Sequence, residues 1–379
     1  MREQIVKNQV NFQLSPDDLK NSISSWLEKM ALGLEPGRFR FCEVGSVVPT
    51  SGHFAQVSTC FAMKIAWQTG LWEDWPEQRR KGCIDFIHSF QKKDGFYFDP
   101  WLYKNAKLTW RNYASAMLGQ VSWKALWERK LWNMRAETRQ SASTLEMVGQ
   151  KPLYPLPCEI LSPESVRKYL DSFDWSIPYS AGSNLGHLIF LLSMNRKYFG
   201  TPDNYDILVD TILDVLDSFY DKKTGTWYVG SPPDNIKING AMKILAGFQW
   251  LDRELPDTKD LLDFALSQPF IEDGCGFLNR LFVVQQARKA VPKGYRQDDI
   301  NQLVQKAMEV VMKFYKEDGA FSFYPERSQV NYYFTKVSRG FPVSDLHGTM
   351  MMSWVLSVCF NLIGKDSSGS IGEWRCQKA

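Results

Sequence analysis

The chain has 379 residues, of which 44% are hydrophobic and 23% are charged, and its formal net charge is +3. This composition is typical of a soluble globular protein, and its mixed charges lack the basic stripe of a nucleic-acid-binding surface. The seven cysteines are scattered without metal-ligand spacing, so we expect free thiols and neither a metal nor a cofactor. We see no signal peptide and no apolar run near the roughly 20 residues of a membrane span, which predicts a cytoplasmic protein.

Two kinds of predicted helix alternate along the chain. Segments with helical periodicity and one charged face lie at about 17–33, 76–91, 163–174, 205–221, 257–268 and 297–316. Segments rich in small and apolar residues lie at about 51–70, 136–149, 181–195, 236–252, 276–290 and 344–363. The first kind suits an outer layer with one wet face, and the second suits an inner layer with close neighbours. The pattern therefore predicts an all-α fold, an (α/α)6 toroid of six outer and six inner helices.

We assign residues 1–364 to this single toroid domain. The segment 102–133 fits the alternation less well and is predicted to be a helical insertion, and the Ser/Gly-rich segment 365–379 is predicted to be a flexible tail. Ser15 and Ser162 each precede a proline, which is typical of an N-cap followed by the first helical residue. Asn204 also suits an N-cap.

A short motif repeats near the ends of predicted helices. Each copy consists of the end of an amphipathic helix, a dipeptide that ends in glycine, such as DG or TG, and then aromatic or apolar residues. The glycines are Gly95, Gly225, Gly274 and Gly319. The last two steps are about 45 to 50 residues long, and the first step leaves room for about three such units. The spacing therefore predicts about six repeated units, two of them without a clear DG or TG dipeptide.

These turns resemble those of known helical toroid enzymes. "SFQKKDGFYF" resembles the QxxDGxW repeat of the terpenoid-cyclase and protein-prenyltransferase superfamily, and "DKKTGTWY" resembles the TG-x-W-Y turns of six-hairpin glycosidases and related sugar epimerases. Both groups are α/α toroids, so the resemblance implies an enzyme on that scaffold. The chain lacks the DxDD acid motif of class II terpene cyclases. Asp345 and His347 in "SDLHGT" lack the neighbouring cysteine with which prenyltransferases hold zinc.

The starts of the predicted inner helices carry an unusual concentration of polar residues. In a toroid these starts ring one end of the central cavity, and charged residues on internal helices are costly unless they are paired or face such a cavity. The candidates for substrate binding are His53, Arg139, Gln140, Asn184, Lys237, Asn239, Lys243 and Arg280, with an aromatic rim of Trp101, Trp227, Tyr228 and Tyr324. The candidates for catalysis are His187, His347, Asp345 and Asp99. Alternatively, Asp345 is a simple N-cap, Lys237 lies in solvent and the histidines are structural.

Cations and amide donors suit anionic groups, aromatic faces suit sugar rings or isoprene units, and histidine suits acid–base chemistry near neutral pH. The leading hypothesis is an enzyme that acts on an anionic carbohydrate as a uronic-acid lyase, epimerase or glycoside hydrolase. His187 or His347 would be the acid or base, Arg139 and Asn239 would hold a carboxylate, and hydrolysis would need the pair Asp99 and Asp345.

Two alternatives remain at this stage. In a terpenoid cyclase or prenyl-diphosphate enzyme, Lys237, Lys243 and Arg280 would bind the diphosphate. In a non-catalytic ligand-binding toroid, the polar helix starts would pair among themselves and leave no open cavity. In each enzyme hypothesis the partner is a small molecule or an oligosaccharide. The sequence leaves the oligomeric state open.

Overall fold

The computed structural model describes residues 15–33, 36–48, 55–101, 117–118, 123–251, 258–269, 274–332, 335–363 and 374–378, with the side chains of α4 described from 131 (132 excepted) and those of α10 from 276. Six helices match the predicted outer ones: α1 (Pro16–Met30), α3 (Glu77–His88), α5 (Pro163–Asp171), α7 (Tyr205–Asp217), α9 (Lys259–Ser267) and α11 (Gln297–Phe314). Six match the predicted inner ones: α2 (Gln56–Gln68), α4 (Trp123–Met147), α6 (Pro178–Phe199), α8 (Asp234–Phe248), α10 (Gly274–Ala287) and α12 (Leu346–Ile363).

The described chain is mostly helical, as the periodicity predicts. Its sheet content is limited to two short antiparallel hairpins, β1 (Tyr220–Asp221) with β2 (Thr226–Trp227) and β3 (Asn331–Tyr332) with β4 (Thr335–Lys336). A 3-10 turn, Arg288–Ala290, follows α10. Helix α4 begins at Trp123, so the end of the segment 102–133 belongs to a long helix of the main series; 102–116 and 119–122 lie outside the described residues.

Local sequence signals account for several helix starts. The hydroxyls of Ser15 and Ser162 accept hydrogen bonds from backbone amides in the first turns of α1 and α5, and a proline follows each serine. Both serines belong to capping boxes, which satisfy amides that a helix leaves unpaired at its N-terminus. Asn204 precedes α7 as predicted, but its side chain makes no capping hydrogen bond.

The two sets of helices differ sharply in burial. Every residue of α2 except Trp67 is buried, whereas in α5 only Val166 and Leu170 are buried. We therefore call α2, α4, α6, α8, α10 and α12 the buried helices and the other six the surface helices. Among the described residues, α12 is the one helix long and apolar enough to cross a membrane, and 83% of it is buried inside the protein. Its apolar composition is explained by packing on all sides.

The buried helices contact one another in chain order. Helix α2 packs against α4, α4 against α6, α6 against α8, α8 against α10, α10 against α12, and α12 against α2. The surface helices lie against this series: α3 packs on α2, α9 on α10, and α11 on α12, while α5 packs on α7. Each buried helix therefore has two buried neighbours.

Glycine allows α6 and α8 to approach closely. A Cβ atom added to Gly182 would lie 2.8 Å from the carbonyl oxygen of Gly240, and one added to Gly186 would lie 2.9 Å from that of Lys243. In the other direction, a Cβ at Gly240 would lie 2.8 Å from the carbonyl carbon of Pro178. Side chains at these positions would force the two backbones apart. The small residues of the predicted inner helices thus serve direct backbone packing.

The glycine motif forms a repeated β-turn hairpin after four surface helices. The bridge partners are Ala31 with Phe39, Gln91 with Tyr97, Tyr220 with Trp227 and Tyr315 with Phe321. In each hairpin a glycine with positive φ lies two residues before the second partner; these are Gly37, Gly95, Gly225 and Gly319. Gly37 was missed in the sequence because no DG or TG pair marks it. Gly274 differs from the prediction, since it is the first residue of α10.

Part of the predicted tail is packed in place. The structure describes 374–378 of the segment 365–379, and within it the side chains of Trp374 and Gln377 are buried. The Trp374 ring meets that of Phe360 in α12 edge to face, with centroids 5.6 Å apart. These residues therefore cover one end of the buried helices.

The close contact between α6 and α8 predicts a specific sensitivity. We expect Gly240→Ala to lower the free energy of unfolding by about 1–3 kcal/mol, because the added methyl group overlaps the backbone of Pro178. Urea denaturation would measure the change. Gly33→Ala is the matched control, since nothing lies within 4 Å of a Cβ there. Equal stability of the two variants would contradict this account of the packing.

Candidate functional site

Lys64 is a buried lysine in the middle of α2. Its side chain is 5% exposed, and its Nζ atom donates to Gln140 Oε1 and Ser143 Oγ of α4, both at 3.3 Å. Burial, and to a smaller extent the charge of Arg139, lower the pKa of Lys64 to about 8. The hydrogen-bond partners are a neutral amide and a neutral hydroxyl. The ammonium group is therefore held in place without a carboxylate among these contacts.

His187 of α6 lies close to several cations. Burial lowers its pKa well below the usual value, and the charges of Arg139, Lys243 and Arg135 act in the same direction. Its imidazole is therefore neutral at physiological pH. Its Nδ1 atom is buried and has no hydrogen-bond partner among the described residues. A buried polar atom without a partner is unusual in a native protein and is often explained by an unseen water or ligand.

His347, in the first turn of α12, is enclosed by aromatic rings. Phe61 of α2 stacks on one face with ring centroids 4.7 Å apart, and Phe323 stacks on the other at 4.6 Å. The ring of Tyr332 meets it edge to face at 5.5 Å. The Nδ1 atom is 2.8 Å from Gln329 Oε1. Because an amide oxygen only accepts, Nδ1 carries the proton and Nε2 keeps its lone pair.

The environment of His347 also keeps it neutral. Burial lowers its pKa to about 3, with a further contribution from the charge of Lys64. Lys64 in turn responds to Arg139, and Arg139 acts on His187. These groups therefore form one electrostatically connected set on α2, α4, α6, α8 and α12. We call this set the cationic cluster; its members are Lys64, Arg135, Arg139 and Lys243 with the imidazoles of His187 and His347.

The remaining contacts of the cluster place its members. Lys243 Nζ lies 5.5 Å from the centre of the Tyr179 ring, and the Arg139 guanidinium lies 5.9 Å from that of Phe190. Gln140, which accepts from Lys64, has a buried Nε2 atom without a partner among the described residues. The cluster thus contains two buried nitrogens, one on Gln140 and one on His187, that have no hydrogen-bond partner among the described residues.

Asp99, a predicted catalytic carboxylate, caps α2. Its Oδ2 atom accepts from the amides of Ala55 at 2.7 Å and Gln56 at 3.1 Å, and its Oδ1 atom accepts from the amide of Trp101 at 2.9 Å. The side chain of Glu137 lies beside it, and burial together with the charge of Asp99 raises the pKa of Glu137 well above the usual value. Both oxygens of Asp99 are therefore engaged in holding the start of α2.

Asp345 has the same kind of environment at α12. Its Oδ2 atom accepts from the amides of Phe323 at 2.9 Å and Gln329 at 3.0 Å, and its Oδ1 atom accepts from that of Gly348 at 2.8 Å. Burial raises its pKa to about 6, although the backbone hydrogen bonds oppose the shift. The carboxylate joins the helix start to the loop that carries Phe323 and Gln329. It thereby positions His347 and its partners.

Three predicted binding residues lie around the start of α8. Lys237 Nζ donates to Asp234 Oδ1 at 2.8 Å and lies 4.9 Å from the centre of the Tyr228 ring, so it faces the surface layer. Asn239 Oδ1 accepts from Asn279 Nδ2 at 2.9 Å. Arg280 donates to the carbonyl oxygens of Ala265 and Leu266 at the end of α9, and burial lowers its pKa to about 10.

Asn239 and Arg280 nevertheless line a common cavity. It has a volume of about 380 Å³ and lies between the starts of α8 and α10 and the end of α9. Asp234 and Gln268 also contribute to its wall. The structure thus separates the predicted residues: Arg139, Gln140, His187, Lys243 and His347 belong with the cationic cluster, Asn239 and Arg280 line this outer cavity, and Lys237 lies beside Asp234 and Tyr228.

The predicted aromatic rim is mainly packing. Trp227 is buried and meets Phe248 edge to face, and Trp101 is buried beside the Asp99 cap. Tyr228 lies under Lys237, and Tyr324 is 38% exposed beside Arg327. Asn184 is half-buried on α6, and His53 lies outside the described residues.

Lys64 and Arg135 were not among the candidates that the sequence suggested for this region. A usable signal existed for Lys64, which is the one charged residue in the apolar helix "QVSTCFAMKIAWQ". A lysine in the middle of a helix with no wet face must either pair or face a cavity. The candidates suggested by the sequence lie near the starts of the inner helices, whereas Lys64 lies in the third turn of α2.

The neutral state of His347 predicts a pH dependence. Its pKa in the folded protein, about 3, lies below the ordinary 6.5, so unfolding takes up a proton. Above pH 6.5 His347 therefore does not reduce the free energy of unfolding. As the pH falls from 6.5 towards 3, this free energy decreases. His347→Phe keeps a ring between Phe61 and Phe323 but cannot titrate. We expect the unfolding free energy of the wild type to fall more steeply with pH in this window than that of the variant.

Chemical denaturation at a series of pH values measures both slopes. His187 contributes in the same direction in both proteins. Asp345, whose pKa is raised, contributes in the opposite direction in both. The difference between the two curves therefore isolates His347, and parallel curves would contradict its burial as a neutral imidazole.

Comparisons with protein-family models, with curated proteins and with solved structures found no significant match to this chain. The likeness of the glycine turns to those of toroid enzymes therefore stays a resemblance of short motifs. Any proposal about function has to be argued from the chain's own side chains. The cationic cluster offers the clearest such evidence.

Proposed function

We propose that the helices close into an (α/α)6 toroid, with the buried helices as the inner ring. The contacts that run from α2 through α12 and back to α2 support this arrangement, as does the burial of α2 and α12 on nearly all sides. The stack of Phe61 on His347 joins the first buried helix to the last. A closed ring also explains why the cations of the cluster come from several helices.

A double-mutant cycle tests the closing contact. We expect Phe61→Ala and His347→Ala to be coupled by about 0.5–1.5 kcal/mol in the free energy of unfolding, because each variant removes one ring of the stack. Urea denaturation of both single variants and the double variant gives the coupling energy. Additive effects would mean that α2 and α12 do not meet through these rings.

We further propose that the protein is an enzyme that acts on an anionic carbohydrate at the cationic cluster. The observation that carries the proposal is Lys64, a buried ammonium held by the neutral groups of Gln140 and Ser143. Keeping a charge in such a place costs free energy, as its lowered pKa indicates. The partnerless nitrogens of His187 and Gln140 lie in the same cluster. A bound carboxylate would offset the charge of Lys64 and accept a hydrogen bond from the Gln140 amide.

The imidazoles of the cluster suit proton transfer. His347 is neutral and has its Nε2 lone pair available, since Nδ1 is bonded to Gln329. An anionic substrate would raise the pKa of this imidazole by Coulomb attraction and bring it nearer to the range of a general base. His347 would then take the proton from the carbon next to the substrate carboxylate. The electron pair of the broken C–H bond would move onto the carboxylate, where Lys64 and Arg139 stabilise the added charge.

This chemistry favours the lyase and epimerase alternatives over the hydrolase. In a lyase the electron pair returns to expel the neighbouring oxygen substituent, and in an epimerase the carbon takes a proton from the opposite face. Hydrolysis normally uses two carboxyl groups. The two predicted ones, Asp99 and Asp345, each accept three backbone hydrogen bonds in helix caps.

A prenyl-diphosphate enzyme is the second candidate. Phe61, Phe323 and Tyr332 surround His347 and bring aromatic rings close to the cluster. Cations would bind the diphosphate, and the rings would stabilise a carbocation. This candidate shares the anion site with the first and differs in the apolar part of its substrate.

Substitution of Lys64 tests the anion site. We expect Lys64→Met to weaken binding of a uronic-acid oligosaccharide by about tenfold to a hundredfold, which corresponds to the loss of a charge-assisted hydrogen bond. Removing a buried charge should leave the melting temperature of the unliganded protein unchanged or higher. Thermal shift and calorimetry measure the two effects. Lys306→Met, at an exposed pair with Glu309, is the control.

Solvent deuterium exchange tests the reaction itself. In deuterated water, the wild type should place deuterium at the carbon next to the carboxylate or release an unsaturated product, and His347→Phe should do neither while still binding the sugar. Stabilisation by prenyl diphosphates with no response to uronic sugars would support the second candidate. A lack of response to both ligand classes would leave the non-catalytic binding protein as the remaining alternative.

A further inference from the structure

A second cavity lies at the opposite ends of three buried helices. It has a volume of about 660 Å³ and is lined by residues from the last turns of α8, α10 and α12, among them Phe248, Gln285, Gln286 and Asn361. His347 and Asn361 are 14 residues apart in α12, so the proposed base lies about 20 Å along that helix from this cavity. None of the members of the cationic cluster is among the residues that line it.

The last described residues of the chain complete the wall of this cavity. Cys376, Gln377 and Lys378 line it. The segment is held by hydrogen bonds to α2, where Gln68 Nε2 donates to Gln377 Oε1 at 3.1 Å and the amide of Arg375 donates to Gln68 O at 2.7 Å. Arg375 also pairs with Glu73. These contacts hold the segment in a defined place, so the wall is a built part of the structure.

A directed chain of hydrogen bonds crosses the cavity wall. Lys289 Nζ donates to Gln286 Oε1 at 2.8 Å, Gln286 Nε2 donates to Gln285 Oε1 at 3.1 Å, and Gln285 Nε2 donates to Asn361 Oδ1 at 3.0 Å. All the bonds run in one direction, away from the ammonium group. Such a chain polarises its members in sequence. The amide nitrogen of Asn361 at its end is thereby made a stronger donor.

The charges of the wall favour the same kind of ligand. Lys378 is exposed beside the cavity, with its Nζ atom 5.0 Å from the centre of the Trp250 ring, and Lys289 starts the hydrogen-bond chain. Among the described residues that line the cavity there is no aspartate or glutamate. The amides can both donate to and accept from hydroxyl groups, and Phe248 with Leu251 adds an apolar strip.

We propose that this cavity is a second binding site, for a small anionic molecule that carries hydroxyl groups, such as a sugar acid or a sugar phosphate. Its anionic group lies between Lys289, Lys378 and the Asn361 amide, and its hydroxyls bond to the glutamine side chains. A ligand here contacts α8 and α12, which carry Lys243 and His347 at the other site. The proposal does not depend on the reaction assigned to the cationic cluster.

Calorimetry on the full chain tests this site. The Lys64→Met background silences the first site, and glucuronate, glucose 6-phosphate and glucose are the probes. We expect saturable binding of at least one of the two anionic sugars. Its affinity should fall about tenfold or more in Lys289→Met and in Lys378→Met, as expected when a charged hydrogen-bond donor is lost. Lys306→Met should bind like the background protein.

Both substituted lysines are solvent-accessible, so the variants should fold, and their melting temperatures verify this. The two anionic probes distinguish a carboxylate from a phosphate as the bound group. Absence of binding by both would overturn the proposal, as would an affinity in the Lys289 and Lys378 variants that equals that of the Lys64→Met background. Glucose binding as tight as that of the anions would overturn the assignment of an anionic ligand.

Discussion

The close approach of α6 and α8 is the contact on which much of the remaining structure depends. Gly182, Gly186 and Gly240 allow the two backbones to touch, so no side chains separate the helices along that line. Most of α6 and α8 is buried, so most hydrogen-bonding groups of these helices must find partners inside the protein. Each surface helix needs only one apolar face, because it packs against the protein on that face and is exposed to solvent on the other.

Because the buried helices have little contact with solvent, the charged residues that they carry require a physical explanation. Burial lowers the pKa of Lys64 to about 8 and that of His347 to about 3, because the charged form of each side chain loses solvation inside the protein. Stability alone would be served as well or better by apolar side chains at such positions. Their presence beside two partnerless buried nitrogens is what supports an anion-binding site. The buried charge lowers the stability of the unliganded protein, and a ligand of opposite charge would offset this loss.

Residues that suggest catalysis in the sequence also serve the architecture. Asp99 and Asp345 each hold three backbone amides, and each joins the start of a buried helix to other parts of the chain. Asp345 thereby orients the loop that carries Phe323 and Gln329, the neighbours of His347. A carboxylate in this role supports the site by positioning its members. Arg280 likewise satisfies carbonyl groups at the end of α9.

The sequence by itself determined the features that depend on local periodicity and local hydrogen bonds. These are the approximate positions of the twelve described helices apart from the start of α4, their two kinds, the caps at Ser15 and Ser162, and three of the four hairpin glycines. Tertiary structure alone decided which polar residues meet. The direction of a side chain depends on how its helix is rotated against its neighbours, so Lys237 and Lys243 on one helix reach different layers. Lys64 joins Gln140 only because α2 and α4 pack together, and no local pattern in either segment records that contact.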